Sequence, residues 1–266
     1  MMRWRILSAL IGWPALGVAL LYLPERAFGL LAAAAIIVGL FEYLRLLVFS
    51  RSRLTGWLAL VTGVIQILPF LINSLPSTLI ILITASLILL AVSVVARSSL
   101  AENLLASAFA VAGLVYVVIP LGFMILIRYL PRGIYLLGFL FLVTWARDLG
   151  AFLTGRTIGL QNSHVISASI SPRKTYEGAA GGVVASTIVA LLTRDWLGHE
   201  LPLTYVLLLG MLIGIIGQVG DLVESLIKRI SKVADSSTLI PGQGGLLDTL
   251  DSFIYTAPLL YFLLQW

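Results

Sequence analysis

The chain has no cysteine among its 266 residues. This excludes disulfides, thiolate metal sites and cysteine nucleophiles. Histidine is almost missing too: His164 and His199 are the only two, too few for a histidine metal cluster. Charge is equally scarce. Asp, Glu, Lys and Arg make up 11% of the chain, against roughly 25% in soluble domains. The net charge of +5 comes with no basic arm and no basic aromatic sheet, which argues against nucleic acid as a partner. No low-complexity linker is present, and no polar stretch is long enough for a soluble domain.

What fills the chain is apolar: 60% of its residues are hydrophobic. A spanning helix needs about 20 mostly apolar residues. Such runs fall near 6–22, 28–48, 57–75, 79–95, 104–127, 133–154, 178–192, 203–226 and 246–266. The expectation is an all-α, polytopic integral membrane protein with about nine transmembrane helices. Residues 1–5 and the run behind them mimic a signal peptide. No small-residue cleavage site ends that run, so a retained first helix is expected.

Orientation follows from the cations. With the N-terminus in the cytoplasm, the inner side receives Arg3, Arg5, Arg45, Arg51, Arg53, Arg97, Arg147, Arg156, Arg173, Lys174, Lys228, Arg229 and Lys232. Only Arg26, Arg128, Arg132 and Arg194 fall outside, and of these Arg128 and Arg132 sit awkwardly beside apolar runs. The cell (inner) membrane is the expected location. Residues 1–130 then read as a lipid-facing scaffold and 131–266 as a catalytic region. Its loops 155–177 and 229–245 face the cytosol, where nucleoside triphosphates and Mg²⁺ are found.

The chemistry concentrates in that second half. Asp221, Glu224, Ser225 and Lys228 are spaced i, i+3, i+4, i+7 and share one helical stripe. Asp248, Asp251 and Ser252 repeat the pattern. Carboxylates at membrane depth persist when paired, metal-bound or facing water. Two such stripes across a cavity would offer oxygen ligands to a hard cation such as Mg²⁺. The plainer alternative is that Glu224–Lys228 and Asp221–Ser225 only neutralise each other within one helix. Between the stripes lies Pro241-Gly242-Gln243-Gly244-Gly245, whose glycines and following helix N-terminus suit an anion. It is not a Walker A loop, because no Gly-Lys-Ser/Thr follows. Upstream, Arg173 and Lys174 stand at a helix entrance, and Gly178, Gly181 and Gly182 suit close helix packing. Asp148 either pairs with Arg147 or faces the cavity. Glu42 and Arg45, three apart, are expected to pair with each other. His164 is expected to be solvated.

The run Gly220-Asp221-Leu-Val-Glu224-Ser225-Leu-Ile-Lys228-Arg229, then Asp235-Ser236, then Pro241 to Gly245 and Asp248-Thr249-Leu-Asp251-Ser252, resembles the signature of phosphatidate cytidylyltransferases (CDP-diacylglycerol synthases). Asp148 to Phe152, Gly155-Arg156 and Ser171 to Gly178 are similar to a second block of that family, in the same order. The resemblance covers residues 145–266. It implies the reaction of CTP with phosphatidate to give CDP-diacylglycerol and pyrophosphate, with Mg²⁺. It also implies Asp221, Lys228 and Asp248 as catalytic residues. The metal ligands would be Asp221, Asp248, Glu224 and Asp251. Substrate contacts would come from Asp148, Arg173, Lys174, Glu177, Ser225, Arg229, Gly242, Gly244 and Gly245. The partners implied are CTP, phosphatidate and the bilayer, with room for a homodimer.

Three positions depart from the family pattern: Ala234 replaces Lys, Gln243 replaces His and Thr249 replaces Arg. Each removes a cation or proton carrier. A related CTP-dependent polyprenol or phytol kinase is the alternative reading, as is a catalytically degenerate member. An alcohol acceptor would need a deprotonating group that the sequence does not offer. A transporter or inactive scaffold, its buried acids forming an ion path, is the non-enzymatic alternative.

Overall fold

Long runs of apolar residues leave the backbone no partner in lipid except itself, so they close their own hydrogen bonds as helices. The structure, a computed structural model, describes residues 17–95, 99–159, 164–198, 201–242 and 244–265. His199, Gln243, Arg3, Arg5, Arg97 and most of the 6–22 run lie outside the described residues. The other expected spans are helices: α1 (Glu25–Leu47), α2 (Arg53–Leu71), α3 (Leu75–Val95), α4 (Leu100–Gly113) and α5 (Ile119–Tyr129) come first. They are followed by α6 (Gly133–Thr154), α7 (Tyr176–Leu192), the short α8 (Arg194–Leu197), α9 (Leu203–Ile230) and α10 (Leu246–Leu263). A π-helical turn, Leu114–Val118, joins α4 to α5 as one long span, and another, Gly155–Gly159, extends α6. Among the described residues, six helices are long and apolar enough to cross a membrane. The protein is an all-α polytopic membrane protein.

One piece of the 155–177 connection is not a simple loop. Val165–Ser167 (β1) and Ser171–Thr175 (β2) form an antiparallel hairpin. Serine and threonine hydroxyls fix helix starts: Ser52 caps α2, Ser99 caps α4 and Thr175 caps α7.

The chain divides into two compact units. The first holds the described residues up to Tyr129 together with Ser231–Leu250, and the second holds Leu130–Ile230 and the residues from Asp251 onward. The core of the first is built from Leu40, Leu44, Ile67, Phe70, Leu121 and Ile125, each at most 2% exposed. Helices α1 and α2 approach so closely that a Cβ at Gly63 would fall 2.2 Å from Leu40 Cδ2. Arg128 is buried in this unit. Its Nη1 lies 3.5 Å from Glu25 Oε1 and its Nη2 donates to the Leu23 carbonyl, which is how the apolar span tolerates its cation. In the second unit α6 and α7 pack backbone to backbone. A Cβ at Gly150 would sit 2.5 Å from Ala185 Cβ, and one at Gly182 only 3.0 Å from the Arg147 carbonyl. The expected packing role of the glycines after Thr175 is thus met.

Candidate active site

The second unit contains an open pocket of about 240 Å³, lined among others by Asp148, Arg173, Lys174, Gly178, Gln218 and Asp221. Its polar groups come from three elements. Helix α6 contributes Asp148, strand β2 contributes the two cations, and α9 contributes Gln218 and Asp221. Gln218 Nε2 ties α9 to α7 by donating to the Ala179 carbonyl at 3.0 Å.

Arg147 organises the wall. It is 1% exposed, yet its guanidinium donates to Asp148, to both oxygens of Asp221 at 3.1 and 3.3 Å, and to Ser252 Oγ at 2.7 Å. An arginine this deep is stable only with such acceptors around it. Gly217 makes the room: a Cβ there would fall 2.4 Å from Arg147 Nη1. Lys174 Nζ approaches Asp221 Oδ2 at 3.4 Å. The Ser252 hydroxyl lies 2.6 Å from Asp221 Oδ1 and 3.0 Å from Asp251 Oδ1, and can donate to one of them. Three carboxylates and two buried or half-buried cations therefore share one patch, with Arg173 exposed at its edge.

The hairpin presents the cations. Tyr176 N donates to the His164 carbonyl at 3.0 Å, and Arg229 Nε donates to the Ile170 carbonyl at 3.1 Å. Arg229 thus holds the hairpin turn. Glu177 bonds His164 Nδ1 and is not among the residues lining the pocket. Hydrogen bonds from its own backbone and from His164 hold the Glu177 carboxyl below the usual glutamate range. His164 is exposed but engaged. Ser225 is half-buried one turn beyond Asp221, and the Lys228 ammonium sits 2.6 Å from buried Glu224. That pair is the intrahelical neutralisation given above as the plainer alternative.

Asp248 belongs to the first unit. There its Oδ2 accepts from Gly245 N at 2.6 Å, Ser236 N at 2.8 Å and Ser236 Oγ at 2.9 Å. Gly242 and Gly244 have φ of +79° and +103°, a backbone region that favours glycine, and Ile240 and Gly244 exchange two backbone hydrogen bonds.

Glu42 is the residue the sequence misassigned. It does not form its contacts with Arg45, which is exposed. Instead Glu42, 3% exposed, accepts from Ser237 Oγ at 2.6 Å, Leu247 N at 2.7 Å and Leu246 N at 3.1 Å, and lies 3.1 Å from Ser236 Oγ, whose one hydrogen can go to Glu42 or to Asp248. The amides expected to cradle a bound anion at the start of α10 are therefore already held by Glu42 and Asp248. The only hint in the sequence was an acid inside an apolar span.

As for a cation, the oxygens of Asp148, Asp221 and Asp251 are the donors Mg²⁺ takes. Among the described residues no group of three His, Cys, Asp or Glu is placed to hold a metal by itself. The residues fit a cation held by one or two carboxylates and completed by substrate phosphates.

The model of the cytidylyltransferase family matches residues 3–266. The chain is 34% identical over 276 residues to a phosphatidate cytidylyltransferase of Staphylococcus saprophyticus, covering 99% of each chain. It is 32% identical over 268 residues to one of Bacillus subtilis, covering 99% of this chain and 97% of that one. A relative of the same name from Staphylococcus haemolyticus is 34% identical over 270 residues. This chain belongs to the cytidylyltransferase family.

Proposed function

We propose that the protein is a phosphatidate cytidylyltransferase, which condenses CTP with phosphatidate to CDP-diacylglycerol and releases pyrophosphate. The observation that carries this reading is the pocket in which Arg173 and Lys174 stand opposite Asp148 and Asp221. A lipid phosphate is already an anion at neutral pH, so the step needs no general base. Its oxygen attacks the α-phosphorus of CTP, and the bond from that phosphorus to the β-phosphate bridging oxygen breaks. Catalysis then rests on positioning and charge neutralisation. Arg173 and Lys174 bind phosphate oxygens. Arg147 keeps Asp148 and Asp221 side by side and excludes water from behind them. Asp221, with Asp148 or Asp251 beside it, would hold Mg²⁺, which when bound neutralises charge on the reacting phosphates. Asp248 and Glu42 brace the glycine loop.

Purified protein given labelled CTP and phosphatidate should release pyrophosphate and form labelled CDP-diacylglycerol. Transfer instead to an isoprenoid alcohol would support the kinase reading, and no turnover with either acceptor would oppose both. Because a charge-assisted hydrogen bond contributes roughly 1.5–3 kcal/mol, Lys174→Gln should raise KM for CTP or lipid by about tenfold or more. An unchanged KM and kcat would remove Lys174 from the site.

We also propose that 155–177 and 229–245 face the cytoplasm. The protein lacks cysteine, so single cysteines report cleanly. An impermeant thiol reagent applied to intact cells should label His199→Cys and spare Ser231→Cys. The reverse pattern would invert the orientation.

A further inference from the structure

The first unit has a polar feature that the proposed reaction does not use. Helices α1 and α2 run antiparallel through the short 48–52 turn, and an open groove of about 260 Å³ between them is lined by Phe41, Arg45, Phe49, Arg53 and Trp57. Phe41 and Arg45 are one turn apart on α1, and Arg53 and Trp57 are one turn apart on α2. The rings form an edge-to-face ladder, with Phe41–Phe49 centroids 5.8 Å apart and Phe49–Trp57 centroids 5.3 Å apart. Gly56 lets Phe49 seat against α2: a Cβ there would fall 2.6 Å from the ring.

The cations at this end of the hairpin differ in a telling way. Arg51 is neutralised, with Nε 3.2 Å from Glu102 Oε2 and its guanidinium over Phe109. Arg45 and Arg53 are exposed and have no acidic partner among the described residues. Two guanidiniums without a counter-ion thus flank an aromatic wall. Their planar donor forks match phosphate oxygens. From Trp57, a stripe of exposed apolar residues continues along α2 through Val61, Val64 and Leu68, at helical spacing. A free phosphate ion would make no use of that stripe, whereas an acyl chain would.

We propose that this groove binds an anionic phospholipid, its phosphate between Arg45 and Arg53 and an acyl chain along the Trp57–Val61–Leu68 stripe. Ordinary interfacial placement gives every exposed cation of the unit a similar pull on anionic lipid. The groove confines the preference to Arg45 and Arg53.

Trp57 is the reporter, read as the difference between the full chain and its Trp57→Phe variant. Both are placed in phosphatidylcholine nanodiscs carrying a minor fraction of acyl-brominated phosphatidylglycerol or acyl-brominated phosphatidylcholine. Each basic residue near an anionic lipid surface adds about a factor of five in affinity, so with two arginines brominated phosphatidylglycerol should quench Trp57 at roughly twenty-five-fold lower mole fraction. Arg45→Gln/Arg53→Gln should lose the preference. Arg26→Gln, which removes one positive charge from an exposed position elsewhere in the unit, should keep it. Equal quenching by the two lipids, or a preference that survives the double substitution, would overturn the proposal. Abolition of the preference by excess inorganic phosphate would assign the groove to a soluble anion and overturn it as well. The readout is independent of turnover.

Discussion

Glu42→Gln is expected to destabilise the first unit by about 2–4 kcal/mol, although it changes one oxygen to a nitrogen. The carboxylate has four donor groups within reach, two at each oxygen. An amide can accept only at its single oxygen. Its NH₂ would then face either Leu246 N or Leu247 N, donor against donor, and only the serine hydroxyl beside that amide could turn to accept. Buried groups deprived of an acceptor lose the full desolvation cost, and bonds to a charged acceptor are worth more than neutral ones. Residues 236–248 should exchange backbone hydrogen faster, and turnover should fall because Asp248 and the glycine loop lose their brace. Arg45→Gln should leave both unchanged. Thermal unfolding in detergent, with exchange measured across 236–248, compares the two variants. Equal, small effects would restore the simple i, i+3 pairing and remove Glu42 from any positioning role.

Glu42 also marks where the sequence ceased to be legible. Its spacing from Arg45 satisfies the helical pairing rule, but a surface pair of that kind is worth only tenths of a kcal/mol. Two helix-start amides and two hydroxyls outbid it, and they come from residues about 200 positions away. No local pattern carries that information. The spans, by contrast, were legible because a bilayer imposes one length and one polarity on each of them. The hairpin at 165–175 was not, since Val165-Ile166-Ser167 and Ser171 to Thr175 are too short and too polar to alternate.

The candidate site divides in the same way. Asp148, Lys174, Arg173 and Asp221 were singled out from the sequence and meet in one pocket. Arg147 was seen only as a neighbour of Asp148, yet it holds that wall together, because its partners Asp221 and Ser252 lie 74 and 105 residues on. Glu224 and Lys228 looked like part of the acidic stripe and are paired with each other. Of the departures from the family pattern, Ala234 is exposed and Thr249 uses its hydroxyl on the Gly245 carbonyl, one turn back in the chain. Neither residue has a buried polar atom of its own left without a partner.

Asp221→Asn should produce the largest loss of activity. Among the described residues Asp221 is the only carboxylate in contact with both Arg147 and Lys174, and it stands on the pocket wall. Removing its charge weakens the hold on Lys174, on Arg147 and on any cation bound there. Two unit charges about 4 Å apart near a protein surface interact by about 4 kcal/mol. If that energy is expressed in the transition state, turnover falls by roughly a thousandfold, at about 1.4 kcal/mol per factor of ten. Asparagine keeps the shape, and Asp148 still neutralises Arg147, so the variant should stay folded. Asp221→Glu is the companion: it keeps the charge, shifts it by one methylene, and should recover part of the loss. Steady-state turnover with CTP and phosphatidate, titrated with Mg²⁺, distinguishes the roles. A raised Mg²⁺ requirement in Asp221→Glu, with collapse in Asp221→Asn, places the carboxylate at the cation. A collapse that no Mg²⁺ concentration relieves in either variant points to the Lys174 contact instead. Activity in Asp221→Asn within tenfold of the parent, at an unchanged Mg²⁺ requirement, would take Asp221 out of the reaction and with it the case for chemistry in this pocket.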